Sequence, residues 1–409
     1  MDVNKKTIWL VNQFAGTPES GWGERHFYLS KDLVSPDQRI VIISSGNNHM
    51  FNRNDNLKGL FTYQEYEDVE FLWIWIPPYN PQNFTRFMSM FFFAAACLLL
   101  PFKIYKIGRP KVLMLSSMSM FPLPILLLLK KLLKVPKFIF EVRDLWPLTP
   151  MHLLGIPKGH VFIRFIGALE RWAYKSADHI ISLFEEAAPY INNISNNPSK
   201  FNWLPNGVAP SLLNTIDNSI PRFTDELPTD KLIFCYAGTL GFANAMEPFF
   251  EALNSGKEFL SDVHFLIVGD GYLLPTFEAK CEHLTNVSFT GKIPKKEVFS
   301  ILKNVDVCFI AWHKSELYKY GVSANKYFDY MGLGRPVLTA QEDILDPVIK
   351  AGAGLRVDNN PEAILKGIRN FLEMPEEDRE RLGKAGKDYI NEHHSYIKLG
   401  QKLQSIFDA

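Results

Sequence analysis

The sequence predicts an α/β protein made of two doubly wound, parallel-sheet domains that face a central cleft. Three observations carry this. The chain has 409 residues, which is long for one average domain and suits two of about 200. Short β-branched or apolar runs alternate with longer helical ones in each half, the pattern of parallel strands covered by helices on both faces. Between the halves, the turn Pro205-Asn206-Gly207 opens a polar, proline-containing stretch through Asp230, after which the alternation restarts. Residues 1–207 are therefore expected to form the first domain, 208–230 a linker and 231–374 the second domain. The charged helical run 375–409 is either a free terminal helix or a segment crossing back to the first domain.

In the first half, strands are expected at Thr7–Asn12, Ile40–Ser44, Val69–Ile76, Val112–Ser116, Phe138–Val142 and His179–Leu183. Helical spacing marks Glu24–Leu33, Phe84–Ile107, Leu123–Leu133, Lys158–Ser176 and Glu185–Asn192. In the second half, strands fall at Leu232–Ala237, His264–Val268, Val287–Thr290, Val307–Ala311 and Pro336–Ala340. Their helices are Ala245–Ser255, Leu274–Leu284, Lys295–Lys303, Ser323–Met331, Asp343–Ala351 and Pro361–Glu373. Doubly wound sheets bind ligands beyond the carboxyl ends of their strands, so the loops at those ends carry the functional argument.

Composition narrows the function classes. The 44 basic and 44 acidic side chains balance, so no global field favours nucleic acid or an acidic partner. With 47% hydrophobic and 22% charged residues, both domains can build cores. Cys97, Cys235, Cys281 and Cys308 lie in or near apolar segments without metal-ligand spacing, as expected of reduced core thiols in a cytosol. No His/Asp/Glu set has metal spacing either, so metal-independent chemistry without a cofactor is expected. The uncharged run Phe87–Phe102 is shorter than the roughly 20 apolar residues a spanning helix needs. It reads either as core material or as a membrane-touching helix flanked by Arg86, Lys103, Lys106 and Lys111.

Several loops point to chemistry. Tyr320–Leu338 joins a Gly/Ser/Asn loop to a helix carrying Lys326 and Asp329, then a Gly-Arg-Pro turn and a strand. A loop entering a helix leaves amides unpaired, which suits a diphosphate, and Asp329 one turn on can accept hydrogen bonds from ribose hydroxyls. In the first half, Phe14–Arg25 follows a strand and opens a helix. Gly21 and Gly23 allow close backbone approach there, and Arg25 is a candidate anion clamp. Glu141–Pro147 ends an apolar strand, placing Asp144 to act as a base, to orient a reacting sugar, or simply to cap the turn. Gly238-Thr239-Leu240-Gly241, Gly269-Asp270-Gly271 and Gly291-Lys292-Ile293 end successive strands of the second half. The first two present amides, and Lys292 and Ile293 could border a nucleobase. Each loop taken singly is also an ordinary strand-end turn; their order makes the set specific.

That ordered set resembles glycosyltransferase family 4, the retaining sugar transferases of GT-B fold, and the likeness covers nearly the whole chain. It looks closest to the bacterial branch that transfers sugars, often amino or deoxy sugars, in O-antigen or capsule assembly. The resemblance implies a nucleotide sugar, UDP-linked by family habit, bound mainly by the second domain and an acceptor bound mainly by the first. Arg25 and Lys326 would meet the diphosphate, and Asp144 would stand where many members have a histidine. The donor would touch Gly21, Gly23, Gly238, Thr239, Gly271, Lys292, Ile293, Ser323, Ala324, Asn325 and Asp329. Two departures stand out. Asp329 matches the second acid of the family's Glu-x7-Glu motif while Gly321 replaces the first, and the usual Arg and Lys after the first strand of the second domain fall on Thr239 and Asn244. The implied acceptor is a polyprenyl-diphosphate-linked saccharide, reached at the cytoplasmic face of the inner membrane through Phe87–Phe102. A nucleotide-sugar 2-epimerase of the same architecture, or a non-catalytic nucleotide-sugar binder, are the alternatives. The epimerase would form product without an acceptor, and the binder would show no turnover.

Overall fold

The structure, a computed structural model, describes residues 5–51, 57–80, 83–117, 119–214, 227–342 and 346–409. The chain divides into two compact units. One holds the residues up to Pro205 together with Tyr396–Ala409, the other Asn206–Ser395.

The first unit is built on β1 (Lys6–Val11), β2 (Gln38–Ser45), β3 (Phe61–Tyr66), β4 (Val69–Ile74), β5 (Val112–Ser116), β6 (Lys137–Val142), β7 (His179–Ser182) and β8 (Phe201–Trp203). Their order across the sheet is β3-β4-β2-β1-β5-β6-β7-β8. Central strands such as Ile8–Val11 and Ile40–Ile43 are buried on both faces, which is why they read as continuous apolar runs. Among the described strands of this sheet, β3 alone runs antiparallel to its neighbour. Its hairpin with β4 turns through Glu67 and Asp68 at φ 45° and 67°, a two-residue turn without the glycine or asparagine that normally announces one.

The second unit carries β9 (Leu232–Ala237), β10 (Val263–Val268), β11 (Val287–Gly291), β12 (Val307–Ala311), β13 (Val337–Ala340) and β14 (Gly354–Val357). They form an all-parallel sheet in the order β11-β10-β9-β12-β13-β14. Aromatic packing fills one face: Phe250 stacks on Phe277 and Phe249 on Phe309. In both sheets the strand order reverses at the first strand, β2-β1-β5 and β10-β9-β12, which makes the carboxyl ends there the natural ligand positions.

Two helical expectations change. The expected helix Phe84–Ile107 is broken into Thr85–Cys97, a tight turn Leu100–Lys103 and a short Ile104–Ile107, bent by 59°. Pro101 cannot continue the hydrogen-bond ladder. Among the described residues no single helix is long and apolar enough to cross a membrane, and only this bent pair, taken together, has the apolar length. The terminal run is two helices, not one. Glu376–His393 belongs with the second unit, while Tyr396–Asp408 packs on the Arg25–Lys31 helix of the first. Tyr28 and Tyr396 stack at 5.6 Å, and Lys6 and Lys137 each donate to the Phe407 carbonyl at 3.0 Å, cations at a helix C-terminus. Of the expected helix Asp343–Ala351, residues 343–345 lie outside the described residues, as do 215–226 of the expected linker.

Candidate functional site

The second unit presents its loops at the carboxyl ends of β9 and β10 as a backbone-on-backbone pack. Gly238 N–H donates to Val268 O at 2.8 Å, and Leu240 N–H to Asp270 O at 2.9 Å. A Cβ on Gly269 would overlap the Gly238 carbonyl, and one on Gly271 the Leu240 carbonyl. Glycine at 271 is therefore required by loop packing alone, whatever else its amide does.

Across Gly238 lies Lys326. Its partly buried side chain enters from the Asn325–Gly332 helix, and Nζ donates to Tyr236 Oη at 2.7 Å and Asn244 Oδ1 at 2.5 Å. Nζ also sits 4.3 Å from the Tyr236 ring centroid, and Tyr236 Oη donates in turn to Thr239 O at 2.7 Å. A Cβ on Gly238 would lie 2.6 Å from Nζ and closer still to Cε. Both hydrogen-bond partners are neutral. Burial pushes this ammonium down to about 7, so it is a cation short of a counter-ion. The sequence had two vacancies for charge at Thr239 and Asn244; Lys326 reaches that loop from 82 positions further along the chain.

The helix bearing Lys326 is pinned to the sheet by its tyrosines. Tyr330 Oη donates to Ala237 O and accepts from Ala237 N–H, and Tyr327 Oη accepts from Trp312 Nε1 at 2.6 Å. Ala324 caps the helix start in extended backbone without a side-chain hydrogen bond; Tyr327 N–H returns to Ala324 O at 3.2 Å, and the cap side chain satisfies none of the amides before Tyr327. Ser323 is held by the segment at which the two units divide: Asn206 N–H donates to Ser323 Oγ at 2.9 Å and Asn206 Nδ2 to Ser323 O at 2.7 Å. His394, stacked on Phe328, hydrogen-bonds Asn206 O through Nδ1 at 3.0 Å. Asp329 follows one turn later and is partly exposed, while Lys292 is exposed and Ile293 partly so at the edge strand β11. Gly321 ends the preceding turn at φ 97° with nothing within 4 Å of a would-be Cβ. The missing acid of the motif is thus replaced by a backbone conformation that side chains resist.

In the first unit, Arg25 is not a free clamp. It is buried, with Nε on Glu141 Oε1 at 3.0 Å, Nη1 on Pro205 O at 2.5 Å and Nη2 on Leu204 O at 2.8 Å. The expectation that it meets a diphosphate gives way to a structural one: it neutralises a fully buried carboxylate and ties β8's exit to β6. Glu141 Oε2 also takes His26 Nε2 at 2.7 Å and Ser116 Oγ at 2.6 Å. Burial alone would raise Glu141, yet His26 and Arg25 hold it well below the usual carboxylate range, while burial lowers His26. Gly23, at φ 79°, packs against the Phe14 carbonyl and the Gly16 amide of its own loop, and Gly21 closes the Pro18–Ser20 turn at φ 71°. Asp144 is placed at the carboxyl end of β6. Burial raises its carboxyl against the opposing charges of Arg143 and Arg86.

Matches to known proteins follow this geometry. A Glycosyl transferase-like family model matches residues 246–405. Sucrose-phosphate synthase from Thermosynechococcus elongatus superposes with a TM-score of 0.72 at 13% identity, covering 99% of this chain and 98% of that one. The fold is GT-B, as in the known glycosyltransferase structures. HepE from Anabaena, solved in complex with UDP and glucose, superposes with a TM-score of 0.69 at 11% identity over 98% and 99% of the two chains. By sequence, the probable glycosyltransferase WbjE of Pseudomonas aeruginosa is 22% identical over 272 residues, 64% of this chain and 66% of that protein. The chain thus matches just under two thirds of that relative's length. Sequence reasoning missed Tyr236, Asn206 and His394, and it marked Asn244 as a lost cation without showing it as a partner for Lys326. Of the three, Asn206 carried a signal, in its Pro-Asn-Gly turn, and that signal announced a turn rather than a partner for Ser323.

Proposed function

We propose that the protein is a retaining glycosyltransferase that moves a sugar from a UDP-linked amino or deoxy sugar to a lipid-linked saccharide in surface-polysaccharide assembly. The observation that most supports this is Lys326, a lysine whose hydrogen-bond partners among the described residues are neutral, set over Gly238 beside the uncapped start of its own helix. Cleaving a sugar–phosphate bond builds negative charge on the departing diphosphate, which fixed cations and amides stabilise. In this reading Lys326 and the Ser323–Asn325 amides hold the diphosphate without a metal, and Asp329 takes the ribose hydroxyls. Gly238, Thr239 and Gly271 offer main-chain contacts, and Lys292 and Ile293 border the base. The anomeric carbon–oxygen bond to phosphate breaks as the acceptor oxygen bonds to the same face, and the acceptor's proton passes to the departing phosphate oxygen. Asp144 is the first unit's candidate carboxylate for offsetting the positive charge that develops on the ring.

The membrane side of the proposal rests on an apolar face of the first unit. Phe84 and Phe102 are 70% and 72% exposed, and Met88, Phe91, Leu98, Leu128, Leu132 and Phe165 add to them. Phe91–Phe121 and Phe121–Phe165 ring contacts make the face continuous across three helices. A patch of this kind marks an interaction surface, here the cytoplasmic leaflet that presents the acceptor, with Lys103 and Lys131 next in sequence to the exposed Phe102 and Leu132.

A nucleotide-sugar panel tests the donor, since ligand binding to the native state raises its melting temperature. UDP and one UDP-sugar should stabilise, and no stabilisation by any nucleotide would end this reading. NMR of the product should show the donor's anomeric configuration; the inverted form refutes retention. Asp144→Asn should lower kcat by about 10²-fold or more with UDP affinity unchanged, and product formed without any acceptor would favour the epimerase.

A further inference from the structure

The carboxyl ends of β1, β5 and β6 gather polar groups that the site above does not use. Arg143, just past β6, has two solvent-shielded donors, Nε and Nη1, with no hydrogen-bond partner among the described residues. Its backbone N–H is fixed on Ser117 Oγ at 2.9 Å. Gln13 Oε1 beyond β1, Ser119 Oγ beyond β5 and Trp146 Nε1 beyond β6 are likewise shielded and unpartnered, with Gln13 and Ser119 at 1% and 3% exposure. Gln13 Nε2 donates to Ser89 Oγ at 3.4 Å, which in turn donates to Arg86 O at 2.7 Å, and Arg86 and Arg143 both act on Asp144. The strands are sheet neighbours, β1-β5-β6, so these groups lie beyond adjacent strand ends, at the mouth of the sheet.

A guanidinium does not shed its charge in a protein, so shielded N–H groups without acceptors weigh against the folded state until an oxygen arrives. Of the nearby charges, Arg25 is already matched by Glu141, which leaves Arg143 and Arg86 facing Asp144 and an excess of one positive charge. Next to the mouth the chemistry turns apolar. The Trp146 ring meets Phe162 edge-on at 6.2 Å, Phe162 meets Phe87 at 5.3 Å, and Val161 beside them is exposed. An anion with hydroxyl neighbours on one side and a hydrocarbon chain on the other matches this sequence of surfaces.

We propose that this mouth is a phosphate-recognition subsite for the lipid end of the acceptor, with Arg143 as its cationic contact and Ser119, Gln13 and Trp146 reading the oxygens around it. It rests on the glycosyltransferase reading and deepens it: the acceptor is recognised by its prenyl phosphate as well as by its sugar.

The test is calorimetry on the full chain with farnesyl phosphate, farnesol, inorganic phosphate and UDP. Farnesyl phosphate should bind more tightly than farnesol or inorganic phosphate. Arg143→Gln should weaken it at least tenfold, the loss of one charge-assisted contact, with UDP affinity within twofold of wild type. Arg143→Lys should recover part of the loss. Ser119→Ala, which removes one oxygen, should weaken the same ligand severalfold and covers the case in which Arg143→Gln does not fold. The proposal falls if wild type does not bind farnesyl phosphate, if inorganic phosphate binds equally well, or if neither variant alters the affinity. It also falls if UDP affinity drops in parallel, because Arg143 would then serve the nucleotide. Failure of wild type to bind any nucleotide is a separate outcome that overturns the transferase reading itself.

Discussion

Replacing Lys326 by Met separates the roles of this residue in stability and in ligand binding. An ordinary lysine value is 10.5, and burial pushes this one down to about 7. Between those limits the unfolded chain holds the extra proton, so wild-type stability should rise with pH from 7 to 10.5, whereas the Met variant has no such dependence. Each pH unit is worth at most about 1.4 kcal/mol. Partial solvent contact and the hydrogen bonds to Tyr236 and Asn244 reduce the whole effect to about 1–2 kcal/mol. Urea melts of both proteins at pH 7 and pH 10 read that difference. Affinity responds more strongly. A diphosphate about 4 Å from Nζ gains about 4 kcal/mol at an effective dielectric of about 20. Solvent competition leaves about 2–3 kcal/mol, so UDP should bind the variant about 30- to 150-fold more weakly. Because a bound anion draws the proton onto Lys326, the wild-type Kd for UDP should be flat just below pH 7 and climb towards tenfold per unit above it, while the variant stays flat. Equal UDP affinity for both proteins, or identical pH slopes, would refute the assignment.

Gly238→Ala should force Lys326 from its seat, since the new methyl would overlap its chain end; UDP affinity should drop at least tenfold, with a stability loss of about 1–3 kcal/mol in chemical melts. Gly321→Glu restores the acid of the motif on paper but meets φ 97°; it should lower stability by about 1–2 kcal/mol and leave kcat no higher. Burial pushes His394 down to about 4, below its unfolded value, so its contribution is full above pH 6.5 and is lost as pH falls towards 4; His394→Gln should flatten that part of the acid melt. Phe91→Asp with Phe102→Asp should cut sedimentation with anionic vesicles at least tenfold, each phenylalanine being worth about 1.5–3 kcal/mol when fully buried, without altering UDP binding.

The two parallel sheets were legible because strands buried on both faces are written as uninterrupted apolar runs, as in Ile40–Ile43. The elements that escaped lie at sheet edges. β3 is half-buried along its length and turns on Glu67-Asp68, and the short β8 and β14 are only partly buried, so none carries the apolar density or turn chemistry that periodicity detects. The break at Leu98–Leu99 escaped for another reason. Pro101 was visible, but a proline in a helix ends it at a point set by the last turn's carbonyls and not at the proline itself.

The candidate site divides along the same physical line. Arg25 and Lys326 look alike in the sequence, each a cation in the first turn of a helix after a glycine-bearing loop. Their difference lies in what reaches them through space. Arg25 meets Glu141, a carboxylate 116 positions away, and two main-chain carbonyls, so its charge is already matched inside the fold and nothing remains for a ligand. Lys326 meets a tyrosine hydroxyl and an asparagine amide 90 and 82 positions away, which satisfy its donors without balancing its charge. No local pattern encodes that distinction, because hydrogen-bond saturation and charge compensation are set by different partners. The hydrogen-bond half of that criterion singles out Arg143, whose charge faces Glu141 and Asp144 but whose two shielded donors lack a partner among the described residues. It also makes a joint demand on experiment: removing the charge at 25 should cost the protein its fold, while removing it at 326 or 143 should cost it a ligand.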